Sequence, residues 1–401
     1  MSKVIDCHLH IFTGRPGAEA FPKRHRWVIS MQWAYGEPPF KDPNIIYPTV
    51  EERFSDPDGT WSIKGMDEAG VDAVFALPVD YGYGFGEETI RSIDQVHKDL
   101  AGLMKKYPGR VYGFAGPDPR RPDAVQLFEK AIKEYGLVGL KVIPSGGYHV
   151  WDDRLYPLYQ RCDDWGLPVE ICTQCHWGGY DRGRFDEPLH LGDIAADFPD
   201  MKVVALHTGY PFTHWFDEVL AMATRAMNMY ISIDQWVHGY DRPGQRMLEF
   251  WPNVRGNEKE VVRMLAKAKA MVGAHRMLYG TDHSPAPRFD GPRSCAGMGW
   301  KNVINWYHDL PKTARKYGYT FNEDEVELIM GKNAARLIGL EKDERYEMKH
   351  KYGWQVRTPQ PFPKDSVTTT QGSYSDRPIP AEPTGPKPPS HHKREEAFKK
   401  K

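Results

Sequence analysis

Two histidines one residue apart, His8 and His10, end the apolar run Lys3-Val4-Ile5-Asp6-Cys7-His8-Leu9-His10 near the start of the chain. On a strand, the two-residue period places both imidazoles on one side and turns Cys7 and Leu9 to the other. Imidazoles held this way can take adjacent corners of one coordination sphere, and zinc and other first-row divalent ions accept neutral imidazole readily. An isolated His-x-His fits equally well two histidines hydrogen-bonded at a strand end. The decision rests on what distant residues supply, and further candidates recur along the chain: Lys141, Cys172 with Cys175 and His176, His207, and Asp282 followed by His283.

The elements that would position these residues alternate regularly. After the opening run, β-rich stretches occur at 71–78, 111–115, 138–143, 168–172, 202–207, 229–233 and 276–282. Helical patterns lie between most of them, over 87–107, 123–135, 155–165, 189–198, 212–227 and 258–271, with Gly136 a plausible stop. Eight β/α units predict an α/β fold, a (β/α)8 TIM barrel over 1–340, with a doubly wound open sheet as the structural alternative. Continuous apolar strands suit a sheet covered on both faces. A long stretch, 11–59, rich in Pro, Gly and aromatics, inserts after the first strand and reads as an irregular but ordered lid. A helix over 322–340 closes the barrel, and 341–401 reads as an extended tail, rich in Pro, Ser and Lys from Thr358 onward. In such a barrel the active site lies at the C-terminal ends of the strands, where the candidate residues fall.

Composition narrows the partners. At 401 residues, with 40% hydrophobic and 12% aromatic content, the chain can bury a sizeable core. A net charge of −1 and a pI near 7.0 give no electrostatic reason to expect nucleic acid or an acidic membrane, so the partner is expected to be a small-molecule substrate. No apolar run approaches a membrane span and no signal-peptide pattern opens the chain, which makes cytoplasm the default expectation. Five scattered cysteines match a disulfide framework poorly.

Several stretches together resemble the amidohydrolase superfamily, and within it the branch typified by aminocarboxymuconate-semialdehyde decarboxylase. They are Ile5-Asp6-Cys7-His8-Leu9-His10, Gly139-Leu140-Lys141, Lys202-Val203-Val204-Ala205-Leu206-His207-Thr208-Gly209, Leu278-Tyr279-Gly280-Thr281-Asp282 and Asn333-Ala334-Ala335-Arg336-Leu337-Ile338-Gly339-Leu340. By that resemblance His8 and His10 bind a divalent metal, Asp282 completes the site and accepts a proton from the attacking water, and His207 is a catalytic imidazole. These roles suit the residue types: a divalent ion lowers the pKa of bound water, a carboxylate can take its proton, and imidazole titrates in the useful range. One departure stands out. Where the family supplies a strand-five histidine, this chain has Cys172. Either Cys172 ligates as thiolate, or His176 reaches back from the loop, or the remaining ligands and water suffice; His176 is slightly favoured because four residues of loop reverse direction easily. Thiolate would favour zinc, whereas His176 leaves manganese and iron open. Binuclear relatives bridge two ions through a modified lysine at the position of Lys141, with His207 on the second ion. Cys172-Thr173-Gln174-Cys175-His176 also fits a haem-attachment pattern, but its place at a strand end marks that match as accidental.

Substrate contacts are read from rim loops. Trp177, Trp236, Tyr148 and His149 could line a planar substrate, and Arg24, Arg26 and Arg288 could clamp a carboxylate through paired hydrogen bonds. The leading expectation is hydrolysis of a C–N or C–O bond in a small carboxylate-bearing molecule, with zinc the preferred cofactor. Non-oxidative decarboxylation at the same site is the nearest alternative, followed by oxygen activation with two iron or manganese ions. A non-catalytic barrel subunit is the fourth. A homo-oligomer, or a complex with a related barrel subunit, is expected.

Overall fold

The computed structural model describes residues 3–14, 21–36, 38–53, 55–174, 182–238, 253–285 and 299–343. Eight strands run through it: β1 (Ile5–Leu9), β2 (Ala73–Ala76), β3 (Val111–Gly113), β4 (Leu140–Val142), β5 (Pro168–Cys172), β6 (Lys202–Leu206), β7 (Met229–Ser232) and β8 (Met277–Leu278). Consecutive strands pair in parallel within the groups β1-β2-β3 and β4 to β8. Parallel bridges span both seams, Ala115 to Leu140 and Leu9 to His283, so the order runs from one to eight and returns to one. This is the TIM barrel that the alternation predicts.

The apolar runs follow from burial on both faces. On β6, Val203 and Ala205 join a cluster with the helix residues Phe128, Phe216 and Leu265, whereas Val204 and Leu206 join a second cluster with Phe75, Phe114, Tyr230 and Leu278. Each Val, Leu or Phe side chain removed from water in this way contributes ~1.5–3 kcal/mol before entropy is counted. The second cluster also contains Ala334, Ala335 and Leu337 from the last helix, Asn333–Leu337. The Asn333 amide donates to the carbonyls of Ala274 and Met277, both at 2.8 Å, which gives the closing motif a physical job: it ties that helix to the start of β8.

Strand β1 departs from simple alternation. Its pairing with β2 shifts register between Asp6 and Leu9, so three steps on β1 face two on β2. In consequence Cys7 lies in the inner cluster, with its sulfur 3.2 Å from Ser232 Oγ, while Leu9 packs in the outer one. The expectation that these two share a side is corrected by this bulge, which re-aims the side chains at the barrel rim.

Helices interrupt the stretch read as an irregular lid. Lys23–Tyr35 and Pro43–Arg53 are both helical. The first buries His25, Arg26, Ile29, Ser30 and Ala34. Those positions have helical spacing, but most are not strongly apolar, so no hydrophobic stripe announces the helix. The single helix expected over 322–340 is broken instead into Glu323–Glu327, a π turn at Leu328–Lys332, and Asn333–Leu337. Gly331 is required within this turn, since a Cβ there would stand 1.9 Å from the Lys3 carbonyl oxygen. Two further helices, Trp300–His308 and Leu310–Lys316, follow β8 and were not anticipated. Beyond residue 343 the tail lies outside the described residues. Among the described residues no helix is long and apolar enough to cross a membrane.

One buried group sets an acid limit on the barrel. His97, on the helix Ile93–Lys106, accepts the Gly116 N–H at Nε2, 3.0 Å away, just beyond β3. Burial pushes its imidazole from 6.5 down to about 3. The folded form therefore stays neutral while the unfolded chain protonates, so stability is full above about pH 6.5 and is lost as pH falls toward 3. Replacing His97 by Gln, whose amide oxygen can accept the same hydrogen bond, should remove about 2 kcal/mol of the loss between pH 7 and pH 5. Urea midpoints at the two pH values check this, and an unchanged pH slope contradicts it.

Candidate metal centre

The β1–β8 seam builds the site. Asp6 accepts hydrogen bonds from Thr281 Oγ1 at 2.6 Å, Thr281 N at 3.1 Å and His8 N at 3.0 Å. Burial pushes its carboxyl up to about 8 despite these donors. Asp282 N donates to the His8 carbonyl at 2.8 Å, and His10 N to the His283 carbonyl at 2.8 Å. Residues at opposite ends of the barrel sequence are thereby laid side by side.

Three side-chain acceptors then converge. His8 Nε2 is 3.2 Å from His10 Nε2, and Asp282 Oδ1 is 3.4 Å from the first and 3.1 Å from the second. The tautomers follow from the other ring nitrogens. His10 Nδ1 faces the Leu77 carbonyl at 2.7 Å, an acceptor only, and His8 Nδ1 faces Asp234 Oδ2 at 2.6 Å. Both Nδ1 atoms must therefore donate, which leaves both Nε2 lone pairs pointed at the same place as a carboxylate oxygen. Such a juxtaposition is repulsive unless a cation or a shared proton lies within it. Ligand atoms on a tetrahedral ion with bonds near 2.1 Å stand about 3.4 Å apart, so His8, His10 and Asp282 fit a first-row divalent cation. Asp234 behind His8 is the carboxylate that such imidazole ligands commonly lean on.

Burial and charge set the state of each group. Burial alone raises the Asp282 carboxyl, but His8, His10 and His207 hold it well below the usual carboxylate range. Burial, reinforced by His8, pushes the His207 imidazole well below its ordinary value. The His207 ring centroid lies 4.8 Å from that of His8, and its Nδ1 is 3.7 Å from Asp234 Oδ2. Lys141 Nζ stands 3.4 Å from His8 Nε2. Its partner in the strand register, Glu170, is fully buried, and neither carboxylate oxygen has a hydrogen-bond partner; burial pushes that carboxyl well up.

The backbone is strained here as well. His207 (φ 63°), Thr208 (φ 45°), Gln235 (φ 64°) and Asp282 (φ 55°) are the non-glycine residues with positive φ among the described residues. Such conformations cost about 1–3 kcal/mol each and cluster at functional sites. Gly280 is required for a different reason: a Cβ there would stand 2.0 Å from Asp234 Oδ1 and 2.8 Å from Ser232 Oγ.

Other candidates fall elsewhere. Cys172 is buried at the end of β5, burial pushes its thiol up and disfavours the thiolate, and it joins neither group of possible ligands, His8, His10 and Asp282 or His8, His207 and Asp234. His176, Trp177 and Arg288 lie outside the described residues. Trp236 is corrected from a substrate contact to a support: only 1% exposed, it packs against Tyr210 and Phe216, and its indole N–H donates to the His207 carbonyl at 2.7 Å. Arg24 is exposed and donates to the Phe85 carbonyl at 3.2 Å, and Arg26 is buried over the Tyr47 ring, so both secure the lid instead of a rim carboxylate. Tyr148 is likewise buried, its hydroxyl oxygen accepting the Ile143 N–H at 3.0 Å. His149 stacks on Trp151.

Sequence reading passed over Asp234 and Gln235. The same rule that exposes His207 and Asp282, a polar residue just past a barrel strand, finds them two and three residues beyond β7.

A barrel with two imidazoles and a carboxylate converging on its C-terminal rim defines a metal-dependent hydrolase or lyase. Residues 5–340 match the amidohydrolase family profile, and the chain belongs to that family. A comparison with curated proteins found no match. Solved structures share the fold. An uncharacterized TIM-barrel protein from Bordetella bronchiseptica is 22% identical over 84% of this chain and 98% of its own, with a TM-score of 0.55. The 5-carboxyvanillate decarboxylase of Sphingomonas paucimobilis is 16% identical over 84% and 99%, also at 0.55. A dihydroxybenzoic acid decarboxylase from Polaromonas, solved with manganese and 2-nitroresorcinol, is 15% identical over 86% and 99%, at 0.53.

Proposed function

We propose that this chain catalyses non-oxidative decarboxylation of a small aromatic carboxylate, with His8, His10 and Asp282 holding the divalent ion. The engagement of Asp282 carries the reading. Its Oδ1 faces the imidazole pair and its Oδ2 accepts from Gln235 Nε2 at 2.8 Å. With both oxygens taken up in this way the carboxylate is placed as a ligand, whereas the hydrolysis expected from sequence asks it to take a proton from water. Decarboxylation makes no such demand, and two of the similar structures are those of decarboxylases.

A divalent ion held there supplies a Lewis-acid contact for substrate oxygens. The two-imidazole, one-carboxylate donor set suits zinc and manganese alike. His207, whose ring centroid lies 4.8 Å from that of His8, is the imidazole placed to pass a proton from solvent to the substrate carbon. In the reaction the bond from ring carbon to carboxylate breaks and its electron pair stays on the ring carbon. The His207 proton fills that position, carbon dioxide leaves, and solvent returns a proton to His207.

Incubation of metal-loaded protein with 2,6-dihydroxybenzoate and 5-carboxyvanillate, in deuterated water, should release carbon dioxide and leave one deuterium at the vacated carbon. A product that gains water and keeps its carboxylate returns the reading to hydrolysis. His207→Asn should lower decarboxylation by about 10²–10⁴-fold with metal content unchanged. Elemental analysis of protein purified without added metal completes the test, because two equivalents including iron point to oxygenation.

A further inference from the structure

We propose that Gln235 and Gln174 form an amide relay that fixes Asp282 and ends in a hydrogen-bond acceptor for a hydroxyl or amine group on the substrate. The second half of this rests on the function just proposed. Gln235 stands just past β7 and Gln174 just past β5, each 2% exposed. Gln235 Nε2 donates to Asp282 Oδ2 at 2.8 Å, and Gln174 Nε2 donates to Gln235 Oε1.

The direction of the relay is dictated by its first member. A carboxylate only accepts, so Gln235 must present its NH2 to Asp282 and its oxygen to Gln174. Gln174 must then present its own NH2 to Gln235. Neither amide can flip without losing a buried hydrogen bond. The relay therefore ends in Gln174 Oε1, a buried acceptor that has no hydrogen-bond partner. Leaving such an oxygen unpaired is costly, and a donor group on a bound molecule relieves that cost. The acceptor stands two hydrogen bonds from Asp282, on the same rim of the barrel. The left-handed backbone of Gln235 (φ 64°) is part of the device, since it aims the side chain at Asp282 from the turn after β7.

Gln235 is thus a positioning residue that leaves Oδ1 of Asp282 facing the imidazole pair, and Gln174 determines specificity. Gln235→Asn tolerates the left-handed backbone but is one methylene too short; Gln235→Gly is the second variant should the first fail to fold. Mn²⁺ affinity, read by titration calorimetry, should fall about tenfold or more in either, with the metal-free protein still unfolding in one cooperative transition. In parallel, mono- and dihydroxybenzoates are compared with the matching fluorobenzoates for binding to Mn²⁺-loaded protein. The native chain should prefer a hydroxylated member by about tenfold or more, and Gln174→Leu should reduce that preference to within about threefold. Mn²⁺ affinity within about twofold of native in the Gln235 variants overturns the relay. A native chain that binds both sets equally, or neither, overturns the acceptor, as does a preference that survives Gln174→Leu. Carbon dioxide release is followed in the same samples. Its absence alongside an intact hydroxyl preference rejects decarboxylation and leaves the relay standing.

Discussion

Asp282→Asn should cut turnover by about 10³-fold or more and strip most of the bound metal, while the barrel melts close to the native temperature. The substitution keeps the side-chain shape and still offers an amide oxygen. It removes the anionic charge that faces the Nε2 atoms of His8 and His10 at 3.4 and 3.1 Å, and with it a counter-charge for a divalent ion. On the opposite edge an Asn oxygen can still accept from Gln235 Nε2, as Oδ2 does now. In that orientation its NH2 donates to the two imidazole lone pairs and occupies the place of the ion. Metal content by elemental analysis and product formation on the same sample check this. Turnover that persists unchanged would show that this chain is not the catalytic one, which revives the non-catalytic subunit read from its sequence.

Gly280→Ala should be nearly as damaging, without touching any ligand. The added methyl would lie 2.0 Å from Asp234 Oδ1 and 2.8 Å from Ser232 Oγ. Asp234 has nowhere easy to go, because it is fully buried, takes the Ser232 hydroxyl on Oδ1 and holds His8 Nδ1 at 2.6 Å on Oδ2. Overpacking of this kind costs about 1–3 kcal/mol, and loss of the partner that orients a ligating imidazole lowers metal affinity by about 10–100-fold. The expected result is a lower denaturation midpoint together with metal loss. A variant that keeps native Mn²⁺ affinity would mean that Asp234 does not set the orientation of His8.

How much of this was legible in the sequence depends on whether the signal was local. Strand β5 was read as 168–172 and is found as Pro168–Cys172, and the helix read as 258–271 is found as Glu258–Val272. In both, the apolar period is undisturbed and the ends carry clear punctuation. The helix Lys23–Tyr35 was not legible because its buried stripe includes His25, Arg26 and Ser30. Cys7 and Leu9 were placed on one side because alternation assumes a regular strand, and a bulge leaves no mark in composition. Trp236 looked like a rim aromatic, since position in a loop says nothing about whether a ring faces a ligand or packs behind a histidine.

By itself the sequence determined the eight-fold alternation, the parallel barrel that follows from strands apolar on both faces, and the placement of His8, His10, His207 and Asp282 just at or past strand ends. Those are consequences of local period and of a handed, sequential topology, and a linear chain records them directly. Only the tertiary structure decided that Asp6 and Thr281 lock the seam, that Asp234 and Leu77 set the imidazole tautomers, and that Gln235 holds Asp282. Each of these is a hydrogen bond between residues far apart in the chain. Its existence depends on ångström-scale distances that no spacing along the backbone encodes.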